Sequence, residues 1–284
     1  MPAMKPAARR HLYKKARQAV YAFCPQSVRN WREERYFAKY GEVELHLVEF
    51  LCRVHEDAID VGANVGGYVH SLRRYARRVI AYEPIPAMAE ELSSKFRRNV
   101  DVNAIALSDV TGTAELHIPL IEGQAVLGCS TIAPEAAASY LTQQIIEVRT
   151  DLLDNVYRGQ VGFVKIDVEG HELAVLHGAR ETIMRCHPRL LVEIEERHSN
   201  GGVLRTAAFL DALGYRGYYV HARRLAPIEC FSADALQQLA NLPNVIVPLR
   251  ESRRLAPYVN NFIFLPPDEP AETRDHMEAR LARL

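Results

Sequence analysis

Residues 58–67, Ala-Ile-Asp-Val-Gly-Ala-Asn-Val-Gly-Gly, carry an acid and a glycine turn at the end of an apolar run. The pattern reads as a strand, a tight turn and a helix. Gly62 lets the chain turn sharply and brings bare backbone against a ligand. The spacing Asp60-x-Gly62-x-x-x-Gly66 differs from the Gly-x-Gly-x-x-Gly that seats a pyrophosphate on a helix N-terminus. An acid beside the turn opposes a phosphate and suits an ammonium group and hydroxyls. S-adenosylmethionine, with a nucleoside, an amino acid and no phosphate, is such a ligand. The competing reading is an ordinary strand-to-helix turn with a structural aspartate.

The next segment narrows the choice. Arg78-Val79-Ile80-Ala81-Tyr82-Glu83-Pro84 reads as a second strand ending in an acid. Glu83 falls about 20 residues past the glycine turn, where a carboxylate accepts hydrogen bonds from ribose hydroxyls. A helix is expected from Pro86 to Arg98, and a third strand over Val100–Leu107. The cofactor set on this reading is Asp60, Gly62, Ala63, Asn64, Gly66, Glu83, Asn103 and Asp167. Strands alternating with helices define a doubly wound α/β unit whose crevice lies at the carboxyl ends of the strands.

Three segments together resemble the FkbM family of S-adenosylmethionine-dependent methyltransferases: residues 58–69, 79–92 and, most distinctive, Phe-Val-Lys-Ile-Asp-Val-Glu-Gly-His-Glu over 163–172. Leu-Leu-Val-Glu-Ile-Glu-Glu-Arg-His over 190–198 and the segment 259–266 also fit. The resemblance spans roughly residues 40–266. It implies a Rossmann-like class I methyltransferase: a seven-stranded, mostly parallel sheet with a last antiparallel strand and helices on both faces. It implies S-adenosylmethionine as methyl donor and O-methylation of a hydroxyl on a sugar, polysaccharide or glycosylated natural product.

Methyl transfer displaces a neutral leaving group, so it needs no general acid, and positioning does much of the work. An alcohol acceptor does need a base or a metal. Asp167 ends the fourth strand, and Lys165, two residues earlier, shares its face. Glu169 and His171 follow, and with Asp167 they are the catalytic candidates. A helix N-terminus disfavours imidazolium, so His171 is expected to be neutral and able to take a hydroxyl proton. The alternative is a histidine that caps or packs the helix start. Glu193 and Glu195 alternate onto one face of the fifth strand and, with Asp167, could hold Mg²⁺. A nicotinamide oxidoreductase on a similar sheet and a non-catalytic binding module are the competing functions.

The elements that must hold these groups are legible in outline. The chain has 284 residues, 48% hydrophobic and 25% charged, with net charge +0, so no global field argues for nucleic acid. No apolar run approaches the ~20 residues of a membrane span. Five scattered cysteines without a CxxC pair point to a reducing cytoplasm. Residues 1–40 hold ten Lys/Arg and two acids. A basic amphipathic helix near residues 12–23 suits peripheral contact with a membrane or polyanion, or else packs on the domain with its charges solvated. The expected organisation is a basic helical extension (1–40), a methyltransferase domain (41–266) and a charged tail (267–284). A helix is expected over 42–53, a loop over 123–138, a continuous helix from Gly170 to about Cys186 and an inserted helix over 232–240. The acceptor is expected to be a small molecule or glycan.

Overall fold

Short runs rich in Val, Ile, Leu and Phe form the central strands of the protein. The computed structural model describes residues 26–241 and 257–284. In chain order the strands are β1 (Asp57–Val61), β2 (Val79–Tyr82), β3 (Val100–Asn103), β4 (Ala106–Leu107), β5 (Gly112–Ile121), β6 (Gln124–Ala125), β7 (Gln143–Asp151), β8 (Val161–Ile166), β9 (Arg189–Glu193), β10 (Arg216–His221), β11 (Arg224–Pro227) and β12 (Asn261–Leu265). Eight of them form one sheet in the order β11-β10-β12-β9-β8-β1-β2-β3. β1 runs parallel to both β2 and β8, and β12 runs antiparallel between β9 and β10. The chain winds outward from β1 in one direction and from β8 in the other. The switch point therefore lies between those two strands, where an α/β sheet opens its ligand crevice.

Both faces of this sheet are covered, so its central strands are buried along their whole length and mostly apolar. Ile59, Val61, Val164 and Ile166 pack with Leu176, Ile183 and Leu210 from helices Glu172–Gly178, Arg180–Cys186 and Gly202–Asp211. Ala58, Phe163, Leu191 and Ile263 pack on the opposite face with Leu47, Val69, Leu72 and Met277. Asp60 and Lys165 share the parity of this second set.

A charged helix, α1 (Gln26–Tyr40), lies against α2 (Gly67–Tyr75). Polar contacts dominate the junction: Glu33 pairs with Lys95 and approaches His70 at 3.2 Å, and Glu34 pairs with Arg74. Phe37 adds an apolar contact, its ring 6.0 Å from that of His70.

Several expectations need correction. The main sheet has eight strands rather than seven. The extra edge strand β11 returns from β10 through Ala222 and Arg223, both in the left-handed region. That is a two-residue hairpin turn built without the Asn or Gly that would announce it. A second sheet, β4-β7-β5-β6, occupies residues 106–151, and the expected third strand breaks at Ala104–Ile105 to enter it. The segment 42–53 is a 3-10 turn (Val43–His46) followed by one helical turn (Val48–Leu51). The helix expected from Gly170 to Cys186 is two helices meeting at Ala179. The inserted element near 232–240 is a short helix, Ala233–Leu236, and a 3-10 turn. The C-terminal segment is docked rather than a free tail. Its helix Ala271–Ala282 buries Met277 and Leu281 completely, and burial of each such side chain stabilises by about 1.5–3 kcal/mol. The basic helix expected near residues 12–23 lies outside the described residues. No helix among the described residues is long and apolar enough to cross a membrane.

Candidate functional site

The turn after β1 is locked to the end of β8. Gly62 sits at φ +79°, and a Cβ there would fall 1.9 Å from the carbonyl oxygen of Asp167. Only glycine fits both the backbone angle and the space. Gly62 and Ala63 donate their N–H groups to the carbonyl of Tyr82 at 2.9 and 3.1 Å. Glu83 then braces the turn from the far side: Oε2 accepts the Asn64 N–H at 2.9 Å and Oε1 accepts the Ile85 N–H at 3.0 Å. Each oxygen keeps a lone pair free, so the carboxylate stands fixed and able to accept two hydroxyls.

On one side of this turn, Glu83 and Asn64 join Ile105, Leu107, Leu116 and Leu127 around a mostly apolar cleft. An adenine ring with its ribose suits such walls. His171 lines the same cleft, its Nε2 2.9 Å from Ser108 Oγ. Burial lowers the pKa of His171, partly opposed by Asp109. Asn103 meets the site through its carbonyl, which accepts the Glu83 N–H at 3.0 Å. Gly66 opens α2, and a Cβ there would press on Phe96 at 2.6 Å, so packing alone requires glycine.

On the other side lies a cavity of about 310 Å³, floored by Asp60, Lys165 and Asp167 and walled by Glu42, Tyr68 and Tyr40. The ammonium of Lys165, 2% exposed, donates to Asp167 Oδ2 at 2.8 Å and lies 4.6 Å above the centre of the Tyr68 ring. The Tyr68 hydroxyl donates to Glu42 Oε2 at 2.6 Å, and Asn261 Nδ2 donates to the same oxygen at 3.1 Å. Glu193 accepts from Asn260 Nδ2 at 2.5 Å. Asp60 is 1% exposed and its Oδ2 has no partner. Burial pushes its pKa up to about 7; Lys165 opposes this, and Asp167, Glu83 and Glu42 add to it. Burial also raises Glu193 well above the carboxylate range, reinforced by Asp167 and Glu42. Carboxylates thus outnumber cations here, and the electrostatics favour a cationic ligand.

The loop after β8 carries Glu169, in the left-handed region at φ +52°, its carbonyl accepting Thr131 Oγ1 at 2.7 Å. Its carboxylate lies 2.9 Å from His198 Nε2. The set expected to hold Mg²⁺ is not collected: β9 ends at Glu193, so strand alternation does not carry Glu195 to the same place. Glu195 instead meets Arg197, Glu169 and His198, while Glu193 turns to Asn260. Sequence reasoning placed no role on Tyr68, Asn261 or His198. Only the Glu-Glu-Arg-His run at 195–198 offered a signal for the last.

The sequence matches the methyltransferase FkbM domain over residues 60–217, and the chain belongs to that family. No curated protein matches it. Solved structures with a similar fold include methyltransferase FkbM from Methylobacillus flagellatus KT, at a TM-score of 0.45 and 17% identity over 74% of this chain and 43% of that one. An rRNA methylase from Streptococcus thermophilus gives 0.44 and 11% over 78% and 93%. An O-methyltransferase from Bacillus cereus in complex with SAH gives 0.36 and 9% over 93% and 91%. This chain spans less than half the length of the first. Likenesses this loose say nothing of the acceptor.

Within the family the methyl donor is S-adenosylmethionine, and the residues present fit it. An unpartnered buried carboxylate oxygen on Asp60 suits the ammonium, Glu83 suits the ribose, and the apolar cleft suits the adenine. When bound, the donor supplies an electrophilic methyl on a sulfonium. The chain thus carries the FkbM methyltransferase domain on the class I sheet order, extended by the edge strand β11.

Proposed function

We propose that the protein methylates a hydroxyl of a sugar, polysaccharide or glycosylated natural product. The observation that carries this reading is the ring of carboxylates at the rim of β8 and β9. An alcohol must lose a proton to attack a methyl group, and Glu169 supplies a carboxylate beside Asp167 for that purpose. Acids along the crevice also repel a phosphate backbone, which disfavours RNA as acceptor. The same acids, with Asp60 at the turn, disfavour a nicotinamide dinucleotide.

In this reading Asp60 receives the donor's ammonium and Glu83 its ribose. Gly62, Ala63 and Asn64 shape the backbone against it, and Asp167 holds Lys165 beneath the reacting centre. Of the three candidates for proton removal, Asp167 is held by the Lys165 ammonium and His171 by Ser108. Glu169, whose neighbour at 2.9 Å is the imidazole of His198 rather than a buried ammonium, is the base in this reading. The working compartment is the cytoplasm, and residues 41–266 form the catalytic domain.

The test has two arms. Calorimetry should show micromolar or tighter binding of S-adenosylhomocysteine and no binding of NAD. Radiolabelled donor offered to methyl glycosides, bacterial polysaccharides and ribosomal RNA should label a glycan hydroxyl. Label on RNA alone would sink the reading.

A further inference from the structure

His198 is 5% exposed, and its Nδ1 has no hydrogen-bond partner. Its Nε2 meets Glu169 Oε2 at 2.9 Å. A buried polar atom left unsatisfied is costly. Such a group asks for an explanation in catalysis, a bound ion or water. The loop that presents Glu169 is itself strained and pressed on this histidine. Gly170 follows at φ +98°, and a Cβ there would lie 3.1 Å from the His198 carbonyl oxygen and 3.2 Å from its Cβ. Backbone held in sparsely populated regions persists where the surroundings over-determine it.

Two chemistries could use this arrangement. Glu195 completes a group of three ligand atoms within 4.8 Å of one another, wide enough for a metal ion. Its carboxylate, however, accepts Arg197 Nε at 2.6 Å and Nη2 at 2.9 Å, and the Tyr258 hydroxyl as well. A guanidinium clamped on a would-be ligand repels a dication. A metal-bound histidine also needs a partner for its other ring nitrogen, and Nδ1 has none. Proton transfer requires only the contact that exists.

We propose that Glu169 and His198 form one proton-accepting couple for the acceptor hydroxyl, Glu169 as the catalytic base and His198 as its positioning partner. This rests on the O-methyltransferase reading above. As the acceptor oxygen forms its bond to the methyl carbon, the carbon–sulfur bond breaks and its electron pair stays on sulfur. The hydroxyl proton passes to the Glu169 carboxylate and then to solvent. The groups facing Glu169 set its poise. Burial raises its pKa above the ordinary value, Asp167 and Glu195 raise it further, and His198 lowers it. Glu172 faces it from its own segment, Arg197 from the segment after β9, and Cys129 and Tyr140 from across the cleft.

The test is an NMR titration of ¹³C,¹⁵N-labelled protein saturated with S-adenosylhomocysteine. The Glu169 carboxyl carbon should titrate above a free glutamate. Removing the group that lowers it, in His198→Asn, should move its midpoint up. His198→Gln carries its amide one methylene further than Asn, closer to where Nε2 lies, and should restore part of the shift. With labelled donor and a methyl-glycoside mixture, Glu169→Gln should lower transfer roughly 10²–10⁴-fold. His198→Asn should move the rising limb of the pH profile to higher pH, with homocysteine-product affinity unchanged. A Glu169 midpoint indifferent to His198→Asn overturns the couple. So does one equivalent of Mn²⁺ or Zn²⁺ held by the wild type and lost in that variant. Label on nitrogen or carbon, with the NMR coupling intact, overturns the O-methylation reading and the couple's role together.

Discussion

Asp60 and Lys165 are register partners on the parallel strands β1 and β8, yet Lys165 gives its ammonium to Asp167 at 2.8 Å and leaves Asp60 Oδ2 alone. Two carboxylates compete for one buried cation, and the loser sits at the mouth of the glycine turn. An unpaired buried carboxylate is costly to the free protein. A cationic ligand relieves that cost, so the arrangement couples stability to binding.

Asp60→Asn should therefore separate the two effects. A carboxyl whose folded pKa is raised to about 7 stabilises the fold below its unfolded value, and that contribution is lost as pH rises from about 4 through 7. At pH 8 the variant should melt above the wild type while binding S-adenosylhomocysteine at least tenfold more weakly, the loss of one charge-assisted hydrogen bond. Wild-type affinity should also rise through pH 7 and the variant's should not. Calorimetry at pH 6 and 8 checks both, and equal pH dependence would remove Asp60 from the ammonium site.

Glu83→Ala should weaken S-adenosylhomocysteine binding by more than tenfold. Two hydrogen bonds to a charged acceptor are lost, each worth about 1.5–3 kcal/mol. The bonds to Asn64 and Ile85 N–H are lost as well, so the turn should loosen in hydrogen exchange. Unchanged affinity would mean the ribose lies elsewhere.

Removing the cation should be worse than removing any one acid. Lys165→Met leaves Asp167, Asp60 and Glu193 facing one another without the charge that unites them. Breaking a buried pair by deleting one partner costs about 3–5 kcal/mol. Chemical denaturation at pH 8 should show that loss, and it should shrink at pH 5 as Asp60 protonates.

Much of this frame was legible in sequence because it is written in strong local signals. The acid–glycine turn at 60–66, Glu83 before Pro84 and the apolar run into Asp167 placed one crevice and its order of strands. What escaped was set by distant packing. β7 reads as polar, Gln-Gln-Ile-Ile-Glu-Val-Arg-Thr-Asp, because only alternate residues pack. The β10–β11 hairpin turns on Ala-Arg. Gly66, assigned to the ligand by its motif, also lies at φ +84° against the ring of Phe96, a packing need the motif does not announce. His198, more than 25 residues from Glu169, reaches it only because β8 and β9 are neighbours.

Gly62→Val should fail before binding is ever tested. Its side chain would meet the Asp167 carbonyl as well as the ligand, at a backbone angle that β-branched residues avoid. We expect insoluble protein or a melting temperature lowered by more than 10 °C, and Gly62→Ala should show a milder form of the same defect. A soluble Gly62→Val protein of wild-type stability would show that the two loops can part freely.

His171 separates cofactor binding from proton transfer. Its Nε2 is engaged by Ser108 Oγ, which also donates to Asp109 at 3.2 Å. Burial lowers its pKa, so the ring is neutral at neutral pH. It shares the cleft with Glu83 and the apolar wall. In the proposed reading that position holds the Ser108 loop against the nucleoside. His171→Ala should then weaken S-adenosylhomocysteine binding several-fold, the worth of about one neutral hydrogen bond. At saturating donor, transfer should stay within about tenfold of the wild type and keep its pH profile, because the proton goes to Glu169. A histidine acting as the base gives the reverse: unchanged affinity, a roughly 10²–10⁴-fold slower transfer and a vanished pH limb. Measuring the dissociation constant and the single-turnover rate on the same preparation decides between them.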